Sequence, residues 1–177
     1  MAASVAVVVV VVDQLTKSWA ARRLSQGDIH VVWKLDLVLT YNSGASFGLA
    51  RGWAPVIAGV AVAVVVLLLA SVRHIRSDAL AAALGLVIGG ALGNLTDRIV
   101  RGHHGAVVDF IALHFWPTFN VADSCIVVGA IASALIVAHA DRASDPDRPR
   151  DPVSAGTGSP RTDHVSGTGD SDHDGPP

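Results

Sequence analysis

Apolar residues fill four long stretches of the chain, at about residues 2–24, 53–72, 79–98 and 119–140. The first contains the unbroken run Val7–Val12, and the second has no charged residue. About 20 helical residues cross the roughly 30 Å of hydrocarbon in a bilayer. Valine-rich runs favour strands when short, but these are longer than ordinary strands. In lipid the backbone must satisfy its own hydrogen bonds, which selects helix. The pattern predicts an α-helical integral membrane protein with four transmembrane helices. The first stretch lacks a basic start and carries Asp13 and Lys17 where a signal-peptide cleavage region would stand, which argues for a retained span.

Two polar stretches, residues 25–52 and 99–118, separate the spans. Ile29–Leu39 alternates in part, with His30, Trp33 and Lys34 interrupting Val31, Val32, Leu35, Leu37 and Leu39, and predicts one or two strands at the membrane surface. Residues 99–118, rich in His, Gly and aromatics, read as a connecting loop. The count of basic residues on the two sides leaves orientation open: Arg73 and Arg76 favour one side, Arg22, Arg23, Lys34, Arg51, Arg98 and Arg101 the other.

Composition divides the chain. Of its 177 residues 51% are hydrophobic and 16% charged, and every acidic residue is Asp. Residues 141–177 hold most of the prolines and many of the aspartates, with Val153 and Val165 as their only aliphatic residues besides alanine. Such a segment cannot bury enough apolar surface to offset its ordering entropy and reads as a disordered tail. Residues 1–140 form the membrane domain. A net charge of −2 gives no reason to expect a nucleic-acid partner. The single Cys125 excludes an internal disulfide and is read as a packing residue. His103, His104 and His114 share one loop, but adjacent rings point apart, and no metal site is expected.

With charge so scarce, each polar residue in or beside a span becomes a candidate, because placing one there costs several kcal/mol, roughly. Asp13 and Lys17 are four apart and share a helix face. Asn94, Asp97 and Arg98 cluster at the end of the third span, where Arg98 is placed to hold Asp97 by a bidentate pair. Asp109 lies among Val107, Val108, Phe110 and Ile111, a setting that raises a carboxyl pKa unless the group is paired. Asn120 and Asp123 are three apart near the start of the fourth span. If the carboxylates of Asp109 and Asp123 meet within about 3 Å they share one proton, the arrangement for acid–base peptide hydrolysis without a metal. On spacing alone, two capping or interfacial aspartates remain the simpler reading. Asn42-Ser43-Gly44-Ala45-Ser46-Phe47-Gly48 is a turn-rich segment whose glycines let a backbone come close to a ligand.

Five pieces, in order, resemble the lipoprotein signal peptidases, the signal peptidase II family of bacterial aspartic membrane proteases. They are Asp13-Gln14-Leu15-Thr16-Lys17; Asn42 to Gly48; Gly89-Gly90-Ala91-Leu92-Gly93-Asn94-Leu95-Thr96-Asp97-Arg98; Val107-Val108-Asp109-Phe110; and Phe119-Asn120-Val121-Ala122-Asp123-Ser124. The likeness covers about residues 10–130. It implies a small extracytoplasmic β-cradle beside four spans, and a catalytic pair, Asp109 and Asp123, with Asp97 as the rival for the first place. Asp13, Lys17, Asn42, Gly44, Asn94, Asp97, Arg98 and Asn120 are implied to shape the site or hold substrate. The implied substrate is a prolipoprotein whose cysteine already carries diacylglycerol, cut just before that cysteine. The resemblance further implies a bacterial cytoplasmic (inner) membrane protein with both termini in the cytoplasm. Its active site would lie near the outer face, in contact with membrane lipid. It also implies a monomer, no cofactor and sensitivity to globomycin. Asp28, Asp36 and Asp78 are left as solvated charges. Thr96, where the family often has an apolar residue, and the long tail depart from its pattern. Two rival classes make different predictions. A proton-coupled transporter calls for an internal repeat with paired broken helices, which the sequence does not show. A non-enzymatic scaffold predicts that neither Asp109 nor Asp123 matters.

Overall fold

A computed structural model of the chain describes residues 1–43, 54–102 and 105–143. Gly44, Trp53, His103, His104 and the predicted tail beyond residue 143 lie outside the described residues.

The described residues form four α-helices: α1 (Ala2–Arg23), α2 (Ala54–Val72), α3 (Asp78–Val100) and α4 (Val121–Ala143). Among the described residues three stretches, Ala2–Gln26, Asp78–Val100 and Val121–Arg142, are long and apolar enough to cross a membrane. The described apolar part of α2, Ala58–Val72, is shorter. Helix α4 runs on through Asp141–Ala143, which composition had assigned to the tail. The helical part is built inside out relative to a water-soluble bundle. Val7, Val8 and Leu15 on α1, Leu67 on α2 and Val128, Ile131 and Leu135 on α4 are exposed, whereas Asp13, Lys17 and Asp97 are buried. Hydrocarbon is a fit solvent for that surface, and water is not.

Helix α1 turns one face inward, with Ala2, Ala6, Val9, Asp13, Lys17 and Ala20 buried at intervals of three and four. That face meets α3, whose other side packs on α4. Small residues make the approach possible. A Cβ on Gly93 would lie 2.6 Å from Asp13 Oδ2, and one on Gly90 2.5 Å from the Ala122 carbonyl oxygen. At α3's other end, Ser77 caps the helix by accepting the Leu80 N–H.

The polar stretches fold together as one antiparallel meander: β1 (Ile29–Val32), β2 (Leu35–Asn42), β3 (Val107–Leu113) and β4 (Trp116–Phe119), in spatial order 1-2-3-4. Where one or two strands are expected in residues 29–39, two form, the antiparallel pair β1–β2. Its turn carries Trp33 at φ 52°, with Lys34 Nζ 5.4 Å from the Trp33 ring centroid. The connecting loop predicted over residues 99–118 needs correction, because it contains β3 and the first part of β4. The alternation there is hidden because β3 starts with four consecutive buried residues, Val107 to Phe110. A strand covered on both faces reads as an apolar run rather than an alternation. Asp36 also departs from its reading as a solvated charge. Its half-buried carboxylate bridges His30 Nδ1 at 2.6 Å and His114 Nε2 at 2.8 Å. Those two partners hold the Asp36 carboxyl below the usual range, His114 more strongly than His30.

Candidate active site

The site lies where the ends of α1, α3 and α4 meet β2 and β3. Asp109 is held by the sheet. It stands on β3 opposite Thr40 of β2, and Asn42, two residues further along β2, is on the same face. Asn42 donates its side-chain amide to Asp109 Oδ2 at 2.9 Å. Asn120 donates to Asp109 Oδ1 at 2.6 Å. The residue is 1% exposed. Burial raises the Asp109 carboxyl to about 6; the Asn42 hydrogen bond opposes that shift, and the charge of Asp123 adds to it.

Asp123 is held by a helix end. Asn120 precedes α4, and its Oδ1 accepts the Asp123 N–H at 2.9 Å, while Asp123 Oδ2 accepts the Asn120 N–H at 3.2 Å. This is a reciprocal capping box, so of the two aspartates read as capping or interfacial, Asp123 does cap a helix, whereas Asp109 stands on a strand. Asp123 Oδ1 nevertheless takes a further hydrogen bond from across the bundle, from Asn94 Nδ2 at 2.8 Å. Asn120 thus touches both carboxylates, one through its side chain and the other through its backbone. It is fully buried, and its amide also lies 3.2 Å from Asn94 Oδ1.

Behind this pair sits a buried charged layer. Lys17 Nζ contacts Asp13 Oδ2 at 2.8 Å, Asp97 Oδ2 at 3.1 Å and Asn94 Oδ1 at 2.8 Å. The i, i+4 pairing of Asp13 with Lys17 is present, and Lys17 extends it to α3. Each of the two carboxylates also grips a backbone N–H. Asp13 Oδ1 accepts from Ala122, and Asp97 Oδ2 accepts from Val108, both at 3.0 Å. Ala122 immediately precedes Asp123, and Val108 immediately precedes Asp109.

The expected pairing of Asp97 with Arg98 does not form. Adjacent residues point about 100° apart on a helix, so Asp97 faces α1 while Arg98 turns elsewhere. Asp97 instead takes Lys17, Gln14 Nε2 at 2.8 Å and Arg101 Nε at 2.9 Å. The Arg98 guanidinium lies within electrostatic range of Asp123 and Asp109. Its Nη1 donates to the Asn94 carbonyl at 3.3 Å, and its buried Nε has no hydrogen-bond partner among the described residues. Asp13, Lys17, Asn42, Asn94, Asp97, Arg98, Asp109, Asn120 and Asp123 therefore converge; Gly44 is outside the described residues. Sequence reasoning missed Gln14, Ser18 and Arg101. Two of them carry a usable signal: Ser18 is four residues from Gln14, and Arg101 is four from Asp97, so each pair shares a helix face.

A shallow apolar groove of about 330 Å³ opens beside Asp123, lined by Leu113, Phe115, Trp116, Phe119, Val127 and Val128. A larger one of about 520 Å³ runs between α1, α2 and α3, away from the carboxylates.

The sequence profile of the family described as signal peptidase (SPase) II matches residues 5–139. A protein of Paraburkholderia phymatum named lipoprotein signal peptidase is 42% identical over 137 residues, covering 71% of this chain and 80% of that one. One from Rhodococcus jostii with the same name is 46% identical over 134 residues, covering 72% of this chain and 67% of that one. Among solved structures, a bacterial membrane enzyme determined by the in meso method at 1.9 Å resolution superposes with a TM-score of 0.65. It shares 28% identity, over 77% of this chain and 91% of that one. With the profile spanning all four helices and every described carboxylate of the site, the chain belongs to the signal peptidase II family.

Proposed function

We propose that this protein is the aspartic endopeptidase that removes the signal peptide from diacylglyceryl-modified prolipoproteins, cutting just before the lipidated cysteine, with Asp109 and Asp123 as its acid–base pair. One observation carries the reading: Asn120 hydrogen-bonds both carboxylates at once, through separate groups. They therefore sit at one site, and the negative charge on one favours a proton on the other. Burial raises the Asp109 carboxyl to about 6, so Asp109 is the member that carries the proton at pH values below that.

In this mechanism Asp123 accepts a proton from a water while the water oxygen attacks the scissile carbonyl carbon. Asp109 gives its proton to the carbonyl oxygen, forming a neutral tetrahedral gem-diol. On collapse the C–N bond breaks, the leaving nitrogen takes the proton from Asp123, and a hydroxyl proton returns to Asp109. The buried Arg98 Nε donates to a substrate backbone carbonyl, and Asn42 and Asn94 keep the two carboxylates in place.

The substrate is itself held in the membrane, so a site between the helix ends and the sheet suits lateral entry from lipid. The sheet then forms a cradle on the outer face of the bacterial cytoplasmic membrane. Four spans put both termini on one side of the membrane, and the family likeness assigns that side to the cytoplasm; residues 1–140 form the peptidase domain, and the tail is dispensable. The protein acts as a monomer and is blocked by globomycin.

The test uses purified full-length protein in lipid nanodiscs, given a prolipoprotein with and without its diacylglyceryl group. Wild type cleaves the lipidated form selectively. Asp109→Asn and Asp123→Asn insert and fold but do not cleave. Full cleavage by Asp109→Asn removes it from the pair, and equal cleavage of both substrates removes the lipid requirement.

A further inference from the structure

Arg101 stands at the end of α3, its side chain 18% exposed. Its Nε donates to Asp97 Oδ1 at 2.9 Å. Its Nη2 reaches the Gln14 carbonyl at 3.2 Å, Gln14 Oε1 at 3.1 Å and Ser18 Oγ at 3.0 Å. The two oxygens of Asp97 therefore divide their partners. Oδ1 is held by Arg101 and Gln14, and Oδ2 holds Lys17 and the Val108 N–H.

We infer that Arg101 is a positioning residue for Asp109, acting through Asp97 and the Val108 N–H. The inference rests on the reading of Asp109 as catalytic. Two features of the network support it. First, Lys17 divides its three protons among Asp13, Asn94 and Asp97, and its contact with Asp97 is the longest. Arg101 is the cation that serves Asp97 and not Asp13. Without it, two buried carboxylates share one lysine, and their repulsion pushes Asp97 off its site. Second, a carboxylate turns about its own axis unless both oxygens are gripped. Arg101 grips the oxygen turned away from Val108. By bonding Gln14 Oε1 it also fixes that amide so that its NH2 faces Asp97. Val108 is one residue before Asp109, so a shift of Asp97 moves the backbone that aims the reacting carboxyl. A misplacement of about 1 Å costs on the order of 100-fold in rate.

The test compares wild type, Arg101→Gln and Arg101→Lys, each full length in nanodiscs, with the lipidated prolipoprotein as substrate. Three quantities are measured: kcat, KM and hydrogen exchange at the Val108 amide. In Arg101→Gln, kcat falls about 100-fold while KM stays within about threefold, and Val108 exchange speeds up. Arg101→Lys keeps the charge but loses the fork, and recovers at least roughly a tenth of the wild-type kcat. Unchanged kcat and exchange in Arg101→Gln overturn the inference. So does a loss that raises KM equally, or a loss that Arg101→Lys shares in full. A wild type that leaves the prolipoprotein uncut overturns the proposed function itself; unchanged Val108 exchange with an active wild type overturns only the role of Arg101.

Discussion

Asp13 Oδ1 accepts the backbone N–H of Ala122 at 3.0 Å, joining α1 to the residue that precedes Asp123. A buried N–H that loses its acceptor costs about 1–3 kcal/mol, and a buried charge that loses its partner about 3–5 kcal/mol. Asp13→Ala inflicts both losses. It is expected to lower thermal stability in detergent and kcat together. Asp13→Asn retains an acceptor oxygen for Ala122 and is expected to keep more activity than Asp13→Ala at equal protein amount. Equal activity of the two variants would show that the backbone grip does not matter.

Lys17→Met fills the same space without a charge and leaves Asp13 and Asp97 facing each other. The expected loss is about 3–5 kcal/mol of stability, measured by unfolding in mixed micelles. The triple change Lys17→Met, Asp13→Leu, Asp97→Leu removes every charge that Lys17 served and is expected to recover part of that stability, but no cleavage.

Gly93→Ala adds a methyl 2.6 Å from Asp13 Oδ2, where something has to move. Overpacking of this kind costs about 1–3 kcal/mol. The expected outcome is a lower melting temperature and reduced cleavage. Gly59→Ala is the control: nothing lies within 4 Å of its added Cβ, and activity is expected to hold.

The pH dependence follows from Asp109, raised from 3.8 to about 6. In the proposed mechanism Asp109 is the proton donor and must be protonated, so kcat/KM is expected to fall as pH rises through about 6. A kcat/KM that instead rises through that pH would make Asp109 the base. Stability carries the same sign. A carboxyl whose folded pKa lies above its unfolded one stabilises most at low pH, and that contribution is lost as pH rises through the folded value. Relative to Asp109→Asn, wild type should therefore lose roughly 2–3 kcal/mol of unfolding free energy between pH 3.5 and 7. Parallel stability curves for the two proteins would refute the shift.

Much of the site was legible in the chain because charge is so rare in its apolar part. Asp13 and Lys17, four apart on a helix, announced their own pairing, and Asn120 and Asp123, three apart, announced a shared face near the start of the fourth span. Resemblance rather than spacing singled out Asp109. Where sequence reasoning went astray, it stopped at neighbours in the chain. Arg98 follows Asp97 directly and was given the pairing, yet helical rotation turns it away and brings Arg101, one turn on, into that place. Residues 107–110 hid a strand because both its faces are covered.

By itself the sequence determined the helices, the membrane as solvent and the short set of polar residues from which a site could be made. Those follow from apolar run length and from the cost of placing charge in hydrocarbon, both of which are local and additive. Only the tertiary structure decided how the polar residues are shared. It put one lysine between two carboxylates, gave each carboxylate a backbone N–H next to Asp123 or Asp109, and set Asn120 against both Asp109 and Asp123. Except for the local Asp13–Lys17 and Asn120–Asp123 pairs, these contacts join residues 11 to 109 positions apart, and which donor meets which acceptor depends on helix rotation and on how closely Gly90 and Gly93 let the helices approach.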